Sequence, residues 1–331
     1  MREMFSLTLL TVSAEVGLFC CYPQCGGGYL LQFQACYTEL GLNCWCHFMS
    51  DFGKFLDAFT PSEVADKVKT VGVDKANMPV MSLIILSMMA GAFIAFGAMY
   101  YTVTITDSSM AYGMTKLVGG LAFSLGFILV VIAGAELFTG NTLVVMAWAK
   151  GKVSLAALLK NWGIVYVANT IGALVMVYLV YLSGYLDAHH HLVGATAMKV
   201  GLAKVDNTLV ESFVLGLFCN VLVCLASWMV YASRTVSDKV LAILFPISAF
   251  VAMGFEHCIA NMYMIPVAIL ASMDPAIVTA SGLEPAQLEA LSLSGFFSNI
   301  IPVTFGNIIG GGVFVAMAYY LVFVFSTPSA K

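Results

Sequence analysis

The sequence predicts an all-α membrane protein of six transmembrane helices in two inverted three-helix repeats, with the second and fifth helices broken. Three observations carry that expectation. Of the 331 residues, 61% are hydrophobic and only 10% charged, against roughly 45–50% apolar and 25% charged in soluble domains. Six apolar stretches, at 81–103, 114–149, 161–182, 209–232, 240–270 and 297–325, are each long enough for a hydrocarbon core about 30 Å thick. A pattern Gly-x-Glu-x-x-x-small-Asn interrupts the second stretch from Gly134 to Asn141 and returns in the fifth from Gly254 to Asn261, an offset of 254 − 134 = 120 residues.

Taken in order, residues 1–48 stand apart, because six of the nine cysteines fall there: Cys20, Cys21, Cys25, Cys36, Cys44 and Cys46. Their spacing matches no zinc pattern, only His47 is nearby, and a disulfide cap would lie in a reducing cytoplasm. The segment reads as an upstream extension with Met49 as the start, rather than as a metal site, a disulfide cap or a signal-like stretch. Residues 49–77 are expected to carry a cytoplasmic amphipathic helix, drawn over 51–69. Thr60-Pro61-Ser62-Glu63 supplies a start signal, and Phe52, Phe55, Leu56 and Phe59 an apolar face. The channel domain occupies 78–326 and a short cytoplasmic tail 327–331. With the N-terminus inside, eleven basic residues lie at the cytoplasmic face and only Lys116, Lys199 and Lys204 outside, so the positive-inside rule sets both termini in the cytoplasm. The net charge of −4 is uninformative, and no basic run suggests nucleic acid.

The repeat extends beyond the breaks. Ala168-Asn169-Thr170-Ile171-Gly172 in the third stretch echoes Gly306-Asn307-Ile308-Ile309-Gly310 in the sixth, and Gly91-Ala92-Phe93 weakly echoes Gly216-Leu217-Phe218. Three spans per unit is an odd number, so the copies must have opposite topology about an axis in the membrane plane. Unpaired backbone at membrane depth survives only against protein or a water-filled cavity, and two related breaks therefore mark one shared pore. The first free N–H groups of each restarted half offer a partial positive pole, which suits passage of a small anion without a permanent cation. Gly306, Gly310, Gly311 and Gly312 read as helix-packing positions instead.

His257 is the only histidine inside a span, and histidine is the side chain that changes charge near neutral pH. Protonated, it would attract a carboxylate or hand it a proton and release a neutral acid. Asn261, four residues on, could present its amide to the same ligand if it opens the restarted half, and Asn141 holds the equivalent repeat position. Thr139 brings a hydroxyl to the first break, with Leu137 and Phe138 as an apolar plug. Glu136 and Glu256 are expected to accept loop N–H groups and hold the breaks in shape. Phe123 and Phe250 are candidates for paired apolar constrictions. His189-His190-His191 reads as a solvated external loop, and Lys204 as a cation gathering anions at the mouth.

The motifs Lys116-Leu-Val-Gly-Gly120, Phe123-Ser-Leu-Gly126, Glu136-Leu-Phe-Thr-Gly-Asn141, Gly254-Phe-Glu-His-Cys-Ile-Ala-Asn-Met262 and Pro302-Val-Thr-Phe-Gly-Asn307 together resemble the formate/nitrite transporter family, most closely its formate channels, over about residues 51–325. The resemblance implies an aquaporin-like fold, a homopentamer with one pore per protomer in the bacterial inner membrane, and bidirectional formate passage linked to mixed-acid fermentation. By the same resemblance, Leu137, Phe138 and Thr139 would form a mobile loop and Phe123 and Phe250 would line constrictions. His257 and Thr139 would face the central anion site with Asn261 near it, and Lys204 with Asn220 would tune the field around His257. Phe127 stands where formate channels usually have Leu beside the cytoplasmic-side constriction.

Within the same class, nitrite or hydrosulfide is the alternative cargo, the partners otherwise being formate and related small monovalent anions and the lipid bilayer. A neutral-solute pore is less favoured because the breaks lack Asn-Pro-Ala. A membrane-embedded hydrolase or metalloenzyme is disfavoured because His257 has no second histidine within a span, and Cys258, its sequence neighbour, points elsewhere on a helix. No cofactor or metal is expected. An intracellular partner at residues 51–75 is a further expectation.

Overall fold

The computed structural model describes residues 57–325. The expectation for residues 1–48, and the helical face placed on Phe52, Phe55 and Leu56, lie outside the described residues.

The described chain begins with α1 (Pro61–Ala76). Thr60 caps it: its hydroxyl accepts from the Glu63 N–H while the Glu63 carboxylate accepts from the Thr60 N–H, the reciprocal arrangement of a capping box. The helix therefore starts at the cap signal rather than at residue 51, and runs on to Ala76. Val64, Ala65, Val68 and Gly72 form its buried face. Phe59, ahead of the cap, is held between Lys67, over its ring, and Arg234, 3.8 Å from the ring centroid, while its N–H donates to the Ala232 carbonyl.

Four helices are each long and apolar enough to cross a membrane alone: α2 (Val80–Ile105), α3 (Tyr112–Ile132), α6 (Leu155–Leu182) and α8 (Leu209–Ala232). A fifth is the helical run Leu293–Phe325, in which α13 (Leu293–Ile309) passes into a wider π-helical segment at Gly310–Met317. After α3 the chain breaks at residues 133–137, then resumes as α4 (Phe138–Asn141), a 3₁₀ turn (Thr142–Val144) and α5 (Val145–Ala149). The fifth apolar stretch is likewise two pieces, α9 (Val236–Ala252) and α10 (Cys258–Ala271), broken at residues 253–257. α11 (Pro275–Ser281) turns away from α10 by 107°, and α12 (Pro285–Ala290) leads to α13.

Each break has the same local cause. Gly134 (φ +79°) and Gly254 (φ +74°) adopt the left-handed conformation that ends a helix, and the next N–H folds back onto the fifth residue upstream, Ala135 to Val130 at 2.8 Å and Phe255 to Phe250 at 2.9 Å. This is the glycine-terminated helix end, here placed in the middle of an apolar stretch.

One element escapes the sequence reading. α7 (Leu192–Val205) lies where an external loop is expected. It is short and interrupted by Gly194 and Gly201, so its apolar count is too low for a span. Those glycines let it pack close to α10 and α11: a Cβ at Gly201 would fall 2.3 Å from that of Ala268.

Close helix contact is duplicated as well. A Cβ on Gly172 would lie 2.0 Å from the Met88 carbonyl oxygen, and one on Gly310 2.2 Å from that of Leu217, so α6 against α2 and α13 against α8 touch backbone to backbone. The offsets are 310 − 172 = 138 and 217 − 88 = 129. Hydrogen bonds give the same register, for the Ser87 and Gly216 carbonyls play equivalent parts (216 − 87 = 129). The weak match of Gly91 with Gly216 is thus wrong by one helical turn.

Candidate functional site

Each break is held by the same set of side chains. At the first, the Glu136 carboxylate receives Lys75 Nζ at 2.6 Å and Asn141 Nδ2 at 2.9 Å. Asn141 also donates to Asn161 Oδ1 at 3.1 Å, and Asn161 donates to the Lys75 carbonyl at 3.0 Å. At the second, Glu256 receives Lys204 Nζ at 2.7 Å and Asn261 Nδ2 at 2.6 Å; Asn261 donates to Asn299 Oδ1 at 2.8 Å, and Asn299 to the Lys204 carbonyl at 2.8 Å. A buried carboxylate is tolerable only when paired and hydrogen-bonded, and the two nets meet that demand with the last turns of α1 and α7. Lys204 is therefore an ion-pair partner of Glu256, not a free cation at the mouth. The glutamates accept from side chains rather than from loop N–H groups.

The restarted halves are pinned by a second pair of asparagines. Asn169 Oδ1 accepts the Phe138 N–H and Asn307 Oδ1 the Cys258 N–H, both at 2.9 Å. Their amides hold the break carbonyls of Glu136 (2.9 Å) and Glu256 (3.0 Å). The leading N–H of each half-helix is thus already occupied, which removes it from the anion-binding pole expected there. Asn261 lies one turn inside α10, its amide committed to Glu256 and Asn299, so it does not open the half-helix toward a ligand.

The two breaks meet at one point. Thr139 Oγ1 and His257 Nε2 are 2.9 Å apart, and both residues are buried. His257 Nδ1 accepts the Ala260 N–H at 3.0 Å, which leaves the hydrogen of a neutral ring on Nε2. The imidazole thus presents an N–H beside a hydroxyl, two donors at the depth where the helices restart. The Phe250 ring stacks on the imidazole, centroids 5.9 Å apart, and meets Phe123 edge-on at 5.7 Å. Phe123 and Phe250 therefore sit together beside His257, not one at each break.

A cavity of about 490 Å³ opens beside His257, lined by Phe123, Phe250, Lys116, Lys199, Lys204 and Glu256 among others. A second, of about 280 Å³, opens beside Leu137, lined by Phe127, Val130, Lys67, Lys75, Glu136 and Lys239 among others. No lining residue is shared, and the Thr139–His257 contact lies between them. Leu137 and Phe127 face the smaller cavity. Phe138 does not: its ring packs edge-on against Tyr166 (4.9 Å) and Trp162 (6.1 Å), so of the two residues expected as an apolar plug only Leu137 lines a cavity. Asn220 is hydrogen-bonded to neither Lys204 nor His257; its amide donates toward Thr139 O, Thr142 Oγ1 and Asn307 O.

His189 pairs with Asp107 and His191 with Asp187, each at 3.3 Å on an exposed loop, and among the described residues no group of His, Cys, Asp and Glu is arranged to hold a metal. Sequence reasoning missed Lys75, Asn161 and Asn299. The signal was present: Asn161 and Asn169 are eight residues apart, as are Asn299 and Asn307, a spacing that puts both on one helix face.

An all-helical multi-pass membrane protein, with two cavities of mixed apolar and charged lining on either side of a buried contact between broken helices, has the build of a channel or transporter. The family described as "Formate/nitrite transporter" matches residues 62–321. The chain is 41% identical over 273 residues to the formate channel FocA of Escherichia coli K12, covering 81% of this chain and 95% of that protein. With FocA of Haemophilus influenzae it shares 40% over 264 residues, 78% and 93% of the two chains. A solved structure, a pentameric formate channel with formate bound, matches with a TM-score of 0.70 and 42% identity over 74% of this chain and 97% of that one. The chain belongs to the formate/nitrite transporter family, a family of channels and transporters.

Proposed function

We propose that this protein is a bidirectional formate channel of the bacterial inner membrane, with a pore in each protomer of a pentamer and both termini in the cytoplasm. The observation that carries the reading is the contact of Thr139 Oγ1 with His257 Nε2 at 2.9 Å between the two cavities. Relatives that are formate channels, and a related pentamer with formate bound, supply the cargo and the assembly.

The chemistry follows from the donors. An anion entering either cavity meets lysines, whose positive field raises its local concentration. At the centre, the imidazole N–H and the threonine hydroxyl can each turn from one another to an oxygen of a carboxylate. Two neutral donors replace part of the hydration shell without the strong hold of a fixed cation, and the ion can leave on the far side. The Phe123–Phe250 pair on one side and Leu137 with Phe127 on the other exclude bulk water from that step. Charging the imidazole requires a proton delivered to Nδ1, hence loss of the Ala260 bond; the Nε2 proton can then pass to formate, leaving a neutral ring with its hydrogen on Nδ1.

The test is formate flux into proteoliposomes at several pH values for the wild type and for His257→Ala and His257→Asn, with nitrite, hydrosulfide and glycerol as other solutes. Formate flux whose pH dependence vanishes with either substitution supports the reading. Flux unchanged by both makes His257 structural, and a preference for nitrite, hydrosulfide or glycerol reassigns the cargo.

A further inference from the structure

The Thr139 carbonyl is the focus of a buried polar cluster on one side of the molecule only. The Thr142 hydroxyl donates to it at 2.7 Å, the Asn220 amide reaches it at 3.2 Å and the Cys224 thiol at 3.5 Å. The donors also engage one another: Asn220 Nδ2 lies 3.1 Å from Thr142 Oγ1, and Cys224 Sγ lies 3.2 Å from it. The wall of this cradle is Gly311, in the π-helical segment. A Cβ there would fall 2.1 Å from Thr142 Oγ1, 2.4 Å from Asn220 Nδ2 and 2.6 Å from Cys224 Sγ, so any side chain at 311 must displace all three donors.

The repeat shows what the cradle is not for. The offsets of 120, 129 and 138 residues carry Thr142 to Met262 (262 − 142 = 120), Asn220 to Gly91 (220 − 91 = 129), Cys224 to Ala95 (224 − 95 = 129) and Gly311 to Ala173 (311 − 173 = 138). Every polar member is replaced by an apolar residue or glycine, yet the second break forms with the same glutamate, asparagine and glycine devices. Folding a break therefore does not require the cradle. What the first break has and the second lacks is Thr139, whose equivalent is Ile259 (259 − 139 = 120). The geometry points to Thr142, Cys224 and Gly311 as positioning residues that, with Asn220, fix the Thr139 hydroxyl against His257 Nε2 and so set the donor pair that a passing anion uses.

This rests on the proposed function for its meaning in transport, but its geometry can be tested separately. In solid-state ¹⁵N spectra of the full-length protein in lipid, the His257 Nε2 resonance reports the hydrogen bond to Thr139. Thr142→Val and Cys224→Ala are expected to move it toward its position in Thr139→Ala, whereas Thr142→Ser and Cys224→Ser, which keep a donor, restore the wild-type position. In flux assays the two donor-deleting variants should raise the half-saturating formate concentration about 2- to 10-fold, the range of one net hydrogen bond, and add nothing in a Thr139→Ala background. Gly311→Ala should give the largest shift. An unmoved Nε2 resonance in Thr142→Val and Cys224→Ala, with the folded oligomer intact, overturns the inference, as does a loss that the serine variants fail to rescue. If the resonance moves but the wild type carries no formate, the positioning stands and the proposed cargo falls.

Discussion

Breaking the Lys204–Glu256 pair should measure how dry the second break is. Glu256 is 1% exposed and Lys204 14%, and the carboxylate also receives Asn261 at 2.6 Å and Asn299 at 3.1 Å. Lys204→Met leaves that charge with neutral amides only, a third coming from Asn207 at 3.5 Å, and no cation, and Glu256→Gln leaves the ammonium unpaired and turns one acceptor into a donor facing other donors. Each should cost about 3–5 kcal/mol, as removal of one member of a buried pair does. The double variant carries neither charge, so its cost should fall short of the sum by about 2–3 kcal/mol. Reversible unfolding in mixed micelles, followed by tryptophan fluorescence, gives the four corners of the cycle. Single costs below about 1 kcal/mol, the size of a solvent-screened surface pair, would refute the reasoning, as would additivity within about 0.5 kcal/mol. The Lys75–Glu136 pair, 19% and 7% exposed, should repeat the pattern at the lower end of the range.

Other expectations are as concrete. Phe123→Ala and Phe250→Ala each remove one of two rings in edge-on contact beside His257, so acetate and lactate should enter proteoliposomes faster through either variant than through the wild type, and unchanged rates for both would show the rings are not the neck. Gly172→Ala and Gly310→Ala place a methyl group on a carbonyl oxygen and should each cost at least about 1–3 kcal/mol, read as loss of the folded, monodisperse species in size-exclusion chromatography. Thr139→Ser should retain formate flux and Thr139→Val lose it, equal fluxes counting against the hydroxyl. The Glu63 carboxyl is held below its ordinary value of 4.5 by the Thr60 hydroxyl and N–H. Its capping contribution is therefore present above that value and lost as the pH falls through the depressed one. Hydrogen exchange in the first turn of α1 should accelerate over that acid range, and Thr60→Ala, which removes the hydroxyl but keeps the N–H, should weaken the pH dependence.

The parts of the site legible from sequence were those that repeat or that violate the apolar background. Glu136, Glu256, His257, Asn141 and Asn261 stand out because buried polar groups at membrane depth are too costly to be filler. The 120-residue offset located both breaks, and the Thr60 cap signal was legible, although the apolar pattern places the helix start at residue 51 instead of at that cap. What could not be read was partnership. Lys75 and Lys204 sit outside the apolar stretches, where lysine is ordinary, and only folding brings the ends of α1 and α7 to the glutamates. Phe123 and Phe250 look like separate aromatics until α3 and α9 pack together, and Phe138 looks like a pore residue until Tyr166 and Trp162 arrive on α6.

By itself, the sequence determined an all-helical chain in lipid, two glycine-terminated breaks and the residues lodged in them, because hydropathy, helix endings and the cost of buried charge are local matters. The tertiary structure decided that the two breaks touch through Thr139 and His257, that each glutamate is matched by a distant lysine and two asparagines, and that only one break holds a carbonyl in a polar cradle. The long-range contacts among them join residues 43 to 118 positions apart. No periodicity in a chain records which of its faces will meet.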